Sequence, residues 1–566
     1  MNRAAIRQGT QATLIAALLV ACGVAPMEPD RSARAPRLDG FGTATLTIAS
    51  PSAPARAWFA QGMEQAYAFN EVEAVRSFKA ALAQDPDCAM CAWGVAWQLG
   101  PNINASERGD LAEARRYADY AQAHGQALPA RERELIEAMR LRYATGSAAR
   151  DIAVKQAPRC GTPGSGKPAD PLDMAYAERL RGLLDHHPDD PDLLSFYAEA
   201  ELIAMTEDEW WDAAPGKSTA RVADLAARLE AGLARHPDHV GLNHYMIHAV
   251  DNVQVAARAE AAADRLGALA PKSPHLLHMP SHTYAQIGRY ADATQVNQAA
   301  IAADEVMFAE LKQQGFDISK DWRSHDGAFQ WYAALMEGRG DLSLQTAREA
   351  ARQAGYDNEY GEYVRSRPIL TLMRLERWDA VLDEPMPTGK RGVATVLGEM
   401  ARGTALARKG QAAAAAEALA RLEPASAALL KAHAGKESMD KIARSIAQGS
   451  ALRLRAELAL AAGRFDEALS LQAEAATAIA DADDKMEPPM LAAGARVALG
   501  DMQLRAKAYA AAEQSYRADL ARHPNSGWAL QGLVKALQAQ GHDATAERAA
   551  LQRAWPVADG ALLASR

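Results

Sequence analysis

Two pairs of histidines occupy equivalent places in neighbouring stretches of this sequence. The pairs are His244 with His248 and His278 with His282. The first pair follows Pro237 by seven and eleven residues, and the second pair follows Pro271, 34 residues further on, by the same two offsets. Residues that are four apart share one face of a helix, so each pair presents two imidazoles side by side. Imidazole nitrogens are ligands for transition metals.

The spacing predicts a metal site between two helices. Packed helices lie about 8–10 Å apart, and imidazoles that reach across such a gap from both sides can meet at one ion. The predicted metal ligands are His244, His248, His278, His282 and His325. Asp251 is the alternative to His325 for completing the coordination shell. Zn, Cu and Fe suit these ligands, and in a hydrolase or oxidase one position would stay open for water or substrate.

Two other interpretations of the histidines are open. The site could bind an anion or a peptide terminus without metal, or hydrogen bonds could satisfy the rings on a polar inner surface. The predicted ligand-binding residues are His275, Asp251, Asn252, Trp210, Trp211 and Glu487. Trp210 and Trp211 belong to the acidic stretch 207–212. This stretch could cap a binding groove, or it could be a solvated helix end whose rings dock on a neighbouring helix.

A repeated pattern of small and large residues surrounds the histidines. Between residues 55 and 88 it consists of Trp58, Gly62, Ala74, Phe78, Ala81 and Pro86. Related stretches are 284–300, 463–468, 500–524 and 528–541. These stretches resemble the tetratricopeptide repeat (TPR), a helix–turn–helix unit. The resemblance implies an all-α solenoid, in which small residues lie where paired helices cross and proline begins the next helix.

The TPR resemblance also implies where the histidines lie. If Val240 and Pro274 are the first residues of their repeats, each histidine pair falls at the fifth and ninth positions, which line the concave groove in TPR proteins. His275 falls at the second position, which also faces the groove. Since such grooves bind protein or peptide partners, partner binding is the first functional hypothesis. A metalloprotein or metal-dependent enzyme is the second hypothesis, and whether the chain catalyses any reaction is open.

The composition agrees with a folded helical protein. Of the 566 residues 49% are apolar and 6% are aromatic, which excludes a disordered chain. Alanine is abundant and has the highest helix propensity, so the expected fold class is all-α. The net charge of −9 predicts that the chain does not bind nucleic acid, because general nucleic-acid binding needs basic surfaces.

The first residues have the features of a lipoprotein signal. A basic start and a short apolar run precede Leu19-Val20-Ala21-Cys22, which resembles the bacterial lipobox and implies cleavage before Cys22 and attachment of lipid to it. An ordinary secretory signal is the alternative. The expected segments are a signal at 1–21, a flexible tether at 22–54, an N-terminal array with the histidine-rich groove at 55–385, and a C-terminal array at 386–566. The expected location is the cell envelope, at the periplasmic face of the outer membrane.

Three short motifs resemble an uncharacterised family of large bacterial TPR lipoproteins. They are DPDCAM at 85–90, NHYMIHA at 243–249 and HMPSHTY at 278–284. That family has a further motif, Tyr-x-x-His-Asn-x-His-Phe, of which this chain keeps His325 and Phe329 but has Ala328 in place of the second histidine. Glu487 belongs to a partial match to another motif. The resemblance implies no particular reaction.

Two cysteines have the spacing of redox and metal sites. Cys88 and Cys91 are separated by two residues. Two thiols cannot complete a tetrahedral zinc site by themselves. The favoured interpretation is that both are small apolar residues packed on a helix, since free cysteine is often simply buried.

Overall fold

The computed structural model of this chain describes most of the sequence. The described residues are 28–104, 110–156, 170–205, 219–252, 254–318, 321–435, 438–483, 486–490, 494–556 and 558–559. The predicted signal at 1–21, the predicted lipidation site Cys22 and the predicted binding residues Trp210 and Trp211 lie outside these ranges.

The regular elements are helices that follow one another along the chain. Helices α1 to α13 are Ala53–Tyr67, Glu71–Gln84, Ala89–Gln98, Ala112–His124, Ala130–Arg142, Gly146–Gln156, Pro171–His186, Pro191–Ile203, Ala220–Arg235, Val240–Ala249, Glu260–Leu269, Pro274–His278 and Pro280–Ile287. Helices α14 to α26 are Tyr290–Gln313, Arg323–Met336, Gly340–Gln353, Glu359–Arg374, Trp378–Asp383, Val393–Arg408, Ala412–Ala432, Ser438–Ala461, Phe465–Asp483, Ala495–Arg505, Tyr509–Arg522, Gly527–Ala539 and Thr545–Ala554. A short 3₁₀-helix, Ala256–Ala259, precedes α11.

Local sequence signals explain where several of these helices begin. The Asp190 carboxylate accepts a hydrogen bond of 3.0 Å from the Leu193 amide, and Pro191 occupies the first turn of α8. In the same way the Ser273 hydroxyl accepts from the Leu276 amide at 3.3 Å, and a proline begins α12. A capping side chain satisfies an amide that has no partner within the helix, and proline has no amide to satisfy there.

Consecutive helices pack as pairs, with small residues at their crossings. A Cβ atom added to Gly62 in α1 would lie 2.5 Å from the Phe78 ring in α2. At the other end of the chain, a Cβ added to Gly500 in α23 would lie 2.7 Å from the Tyr516 ring in α24. Gly62 and Phe78 belong to the repeat pattern between residues 55 and 88, and Gly500 and Tyr516 lie in the related stretch 500–524. The expected all-α, TPR-like solenoid is therefore confirmed.

The C-terminal helices return to pack on the middle of the chain. The indole of Trp528 in α25 donates to the Leu335 carbonyl at 2.9 Å, and the indole of Trp555 donates to the Met336 carbonyl at 2.8 Å. Another continuous cluster of buried apolar residues extends from Leu344 to Met490 and therefore crosses the predicted boundary between 385 and 386. That division into two arrays stays a prediction.

The segment before α1 differs from the expected flexible tether. Its described part, 28–52, forms neither helix nor strand and packs against the helices. Its apolar side chains Leu38, Phe41, Leu46 and Ile48 are buried. The Thr45 hydroxyl also donates to the Asp192 carboxylate at 2.9 Å. These buried apolar side chains fix the segment to the helices, and a solvated linker would leave them exposed.

Two further findings concern the cysteines and the membrane. Cys88 and Cys91 form a disulfide at the start of α3. The favoured interpretation as free thiols differs from this finding, although Cys91 is fully buried as expected.

Among the described helices, none combines the length and the apolar character needed to cross a bilayer.

Candidate metal centre

Four helices bring six histidines together. His244 and His248 lie on α10, which begins at Val240 after the capping side chain of His239. His275 and His278 lie on α12, His282 lies on α13, and His325 lies in the first turn of α15. Val240 and Pro274, the residues assigned from the repeat pattern as first in their repeats, are the first residues of α10 and α12.

Pro280 interrupts the helix that carries the second histidine pair. Its ring cannot donate a backbone hydrogen bond. One helix ends and the next begins there, with the Met279 amide bonded to the His275 carbonyl at 2.9 Å and the His282 amide bonded to the Met279 carbonyl at 3.2 Å. The imidazoles of His278 and His282 face each other across this junction, with their Nε2 atoms 3.0 Å apart.

The first group of rings, here called triad 1, consists of His244, His248 and His275. The Nε2 atom of His244 lies 3.1 Å from Nε2 of His248 and 3.1 Å from Nε2 of His275. His244 Nδ1 lies 2.7 Å from the Tyr67 carbonyl at the end of α1. Because a carbonyl can only accept, Nδ1 of His244 carries the proton and Nε2 presents its lone pair to the other two rings.

The second group, triad 2, consists of His278, His282 and His325, whose ligand atoms lie within 4.8 Å of one another. The Nδ1–H of His278 donates to the Asn297 amide oxygen at 2.6 Å. The Nδ1–H of His282 donates to the Asp251 carboxylate at 2.8 Å. In both rings the Nε2 atom is therefore left to face the centre of the triad, as in metal-binding histidines whose outer nitrogen is held by a second group.

Burial keeps most of these imidazoles neutral. It lowers the pKa of His244 to about 3 and the pKa of His325 to about 3. Burial, together with the neighbouring imidazoles, holds the pKa of His248 and of His278 well below the usual range. His282 differs, because burial is outweighed by the Asp251 carboxylate and the pKa is raised. Neutral imidazole is the form that binds metal.

One phenylalanine lies against each triad. The Phe69 ring is centred 4.4, 5.5 and 5.1 Å from the rings of His244, His248 and His275. The Phe329 ring is centred 4.8, 4.4 and 5.2 Å from those of triad 2. Phe69 has a φ of 51° in the turn between α1 and α2, a left-handed conformation that costs about 1–2 kcal/mol for a residue with a side chain. Backbone strain of this kind is often found at functional sites.

Both triads open into one cavity of about 720 Å³. Triad 1 contributes His248 and His275 to its wall, and triad 2 contributes His282 and His325. The remaining lining residues are Asn102, Ile103, Asn104, Asp251, Met279, Asp321, Trp322, Ser324, Tyr356, Tyr360 and Glu487. A cavity of this volume accommodates a small organic molecule next to both triads.

Two carboxylates lie at the edge of triad 2. Asp251 Oδ2 and Glu487 Oε2 lie 2.8 and 3.7 Å from Nδ1 of His282. Asp251, His282 and Glu487 form a third group with metal-binding spacing, but it uses the nitrogen that donates to Asp251. An ion there would compete with that hydrogen bond. We therefore interpret Asp251 as the group that orients His282, with the half-exposed Glu487 beside it.

The structure arranges the residues identified from the sequence differently from the single centre we expected. His244 and His248 belong to one triad and His278, His282 and His325 to another, and His275, assigned to ligand binding, completes triad 1. Asn252 shapes the turn after α10, where its side chain accepts from the Gln254 amide at 3.2 Å.

Sequence reasoning missed three residues that surround the triads. They are Phe69, Asn297 and Trp322. Phe69 lies in a turn distant in sequence, and Asn297 lies on the helix after α13 without any motif that marks it, so no local pattern connects them to the histidines. Trp322 stacks on His275 with ring centroids 4.3 Å apart. Its place three residues before His325 was the one available signal.

Comparisons with known proteins concern the fold alone. No protein-family model and no curated protein matches this chain. The TPR domain of P58(IPK) is 13% identical over 86% of this chain and 99% of that domain, with a TM-score of 0.20. A human IFIT1 dimer with m7Gppp-AAAA is 13% identical over 90% of each chain, with a TM-score of 0.28. A monomeric IFIT1 mutant with the same molecule is 12% identical over 90% of this chain and 92% of that chain, also with a TM-score of 0.28. The capped molecule belongs to IFIT1, and the absence of nucleic-acid binding stays a prediction for this chain.

Proposed function

We propose that this protein is a metalloprotein that holds two transition-metal ions, one in each histidine triad. The observation that carries the proposal is the convergence of imidazole nitrogens: three Nε2–Nε2 pairs lie 3.0–3.1 Å apart, and the outer nitrogens of His244, His278 and His282 are held by other groups. This convergence also supports the metal prediction over binding of an anion, because neutral imidazoles that present lone pairs repel negative charge.

Hydrogen bonding alone accounts poorly for triad 1. Nε2 of His244 has a single lone pair in the plane of its ring, and two other nitrogens lie 3.1 Å from it. One lone pair cannot accept two well-directed hydrogen bonds. A cation at the centre satisfies all three rings at once.

Triad 2 leads to a related expectation. Because the Nδ1 protons of His278 and His282 are both committed, two Nε2 lone pairs face each other at 3.0 Å. The raised pKa of His282, which the Asp251 carboxylate sustains against burial, supports a proton between the two rings in the metal-free protein. Metal would replace that proton, so metal binding should release acid.

Metal analysis tests the proposal directly. Untagged full-length protein is purified, stripped with chelator, reloaded with Zn²⁺ or Cu²⁺ and desalted. We expect two ions per chain, and one fewer after either His248→Ala or His282→Ala. His186→Ala, which alters an exposed histidine on α7, should keep both ions. Stripped protein that takes up neither metal would contradict the proposal that the triads bind metal ions.

We also propose that the protein is held at the cell envelope by lipid on Cys22 and that its helical array binds a protein or peptide partner there. The disulfide between Cys88 and Cys91 supports an oxidising compartment. Metabolic labelling with a radioactive fatty acid should mark the native chain and leave Cys22→Ser unlabelled. Equal labelling of both proteins would contradict the proposed lipid anchor.

Cross-linking in intact cells tests the proposed protein or peptide partner. A pattern of cross-linked products that is unchanged when the protein is deleted would contradict partner binding.

A further inference from the structure

We propose, resting on the two-ion proposal above, that the two triads form a coupled dicopper centre that uses dioxygen to oxidise small diphenols. Both triads consist of imidazoles alone. Copper is bound well by imidazole, and Cu²⁺ has the highest affinity among the divalent ions of the first transition series. Manganese and magnesium, which prefer oxygen ligands, are disfavoured by the same chemistry.

The placement of the triads joins the two ions in one reaction space. His275 of triad 1 and His278 of triad 2 lie one helical turn apart, with ring centroids 6.3 Å from each other. Rings of both triads line the same cavity. Three protein ligands leave positions open on each ion towards that cavity, so a small molecule between the ions can contact both.

Two adjacent copper ions match a two-electron reaction. A diphenol loses two electrons and two protons, and its two C–O single bonds become the C=O bonds of a quinone. Dioxygen is the oxidant. Two diphenols supply four electrons and four protons, which break the O–O bond and give two molecules of water. Each cycle of the two copper ions between Cu(II) and Cu(I) transfers two electrons from a diphenol towards dioxygen. No third redox group is therefore needed.

The walls of the cavity favour an aromatic substrate that is not anionic. Trp322 and Tyr360 provide flat apolar surfaces, and Met279 adds a polarisable side chain to the wall. Asp251 and Glu487 also line the cavity. Both carboxyl groups accept hydrogen bonds from phenolic hydroxyls, and the Asp251 carboxylate repels a substrate that carries a carboxylate or phosphate.

The first test uses the copper-loaded full-length protein and needs no turnover. We expect two copper ions per chain and little or no Cu(II) signal in electron paramagnetic resonance, since two coupled Cu(II) ions cancel each other's spin. His275→Ala should hold one copper and show a mononuclear signal. Two copper ions that give the full signal of isolated Cu(II) would overturn the coupled centre and leave the metalloprotein proposal intact.

The second test follows dioxygen consumption with an oxygen electrode and 4-tert-butylcatechol. We expect one dioxygen consumed for every two quinones formed, activity equal to wild type in His186→Ala, and a rate no higher than that of added free copper in His275→Ala and His278→Ala. Tyr360→Ala should raise KM without loss of copper. Copper-loaded protein that consumes no dioxygen with the catechol overturns this inference alone, whereas protein that binds no metal overturns both proposals. Circular dichroism of each variant identifies any that fails to fold.

Discussion

At the scale of single residues, each triad depends on groups that are not ligands. His282 donates its Nδ1 proton to Asp251, His278 donates to Asn297, and His244 donates to the Tyr67 carbonyl. Asn297 is itself held by a hydrogen bond of 2.7 Å from its amide nitrogen to the Ala293 carbonyl. Such outer contacts select the tautomer and fix the angle of the ring. The positions of the metal-binding nitrogens therefore depend on these neighbouring groups.

Substitution of Asp251 should therefore weaken metal binding without removing a ligand. We expect Asp251→Asn to lower the affinity of triad 2 for copper or zinc by about 10–100-fold, as is usual for the groups behind metal-bound histidines. Competition with a chromophoric chelator measures the affinity. Asp238→Asn, an exposed change just before α10, is the matched control. Equal affinities of the two variants would contradict the orienting role.

The lowered pKa values at the triads predict acid sensitivity of the metal-free protein. Burial lowers the pKa of His244 and of His325 to about 3, whereas histidine in the unfolded chain titrates near about 6.5. Between these values the unfolded chain binds more protons. The free energy of unfolding therefore falls as the pH drops from about 6.5 towards 3, by roughly 1.4 kcal/mol per pH unit for each such histidine.

Urea unfolding of chelator-treated protein between pH 7 and pH 5 checks this slope. The raised pKa of His282 makes the free energy of unfolding rise as the pH drops, so this histidine offsets part of the loss. His244→Gln should flatten the pH dependence, while His186→Gln, at an exposed position, should not change it. A free energy of unfolding that stays constant over this pH range in the wild-type protein would contradict the prediction.

At the scale of elements, the helices are held in pairs by small residues facing large ones. Gly62 and Gly182 are both helical glycines, but their surroundings differ. A Cβ at Gly62 would lie 2.5 Å from the Phe78 ring, whereas a Cβ at Gly182 would have nothing within 4 Å. The same substitution should therefore act in opposite directions at the two sites.

Alanine at these two glycines separates packing from helix propensity. We expect Gly62→Ala to lower the free energy of unfolding by about 1–3 kcal/mol, because the crossing of α1 and α2 is overpacked. Gly182→Ala should raise it by roughly 0.5–1 kcal/mol, because alanine is the better helix former and the space is open. Chemical denaturation at pH 7 measures both, and a stabilising Gly62→Ala would show that α1 and α2 do not cross this closely.

At the scale of the whole molecule, the chain returns on itself. The turn at Gly288, between α13 and α14, packs against the C-terminal repeats, and a Cβ there would lie 2.1 Å from the Pro524 carbonyl oxygen. Glu487, which follows α22, reaches Nδ1 of His282 at 3.7 Å. Segments distant in sequence therefore meet at the turn after α13 and beside His282.

Two glycines with the same backbone conformation test this contact. Gly288 and Gly315 both have a φ of 79°, but a Cβ at Gly315 would have nothing within 4 Å. We expect Gly315→Ala to cost about 1–2 kcal/mol from backbone strain alone. Gly288→Ala should cost a further 1–3 kcal/mol or so, from the clash with the C-terminal repeats. If both variants lose the same free energy of unfolding in denaturation experiments, the turn at Gly288 does not contact the C-terminal repeats.

The sequence by itself determined the class of fold and the phase of the histidines. Repeated glycine, alanine and aromatic positions predict paired helices because they record contacts between neighbours in the chain, and the offsets from Pro237 and Pro271 place each pair on one helix face. Only the tertiary structure decided how the rings are grouped. Within α12 and α13, the ring of His275 meets His244 on α10, while His278 and His282 meet His325 on α15, a division set by contacts from distant helices. Contacts between distant segments leave no periodic signal in one sequence, and for that reason two triads stand where one centre was expected.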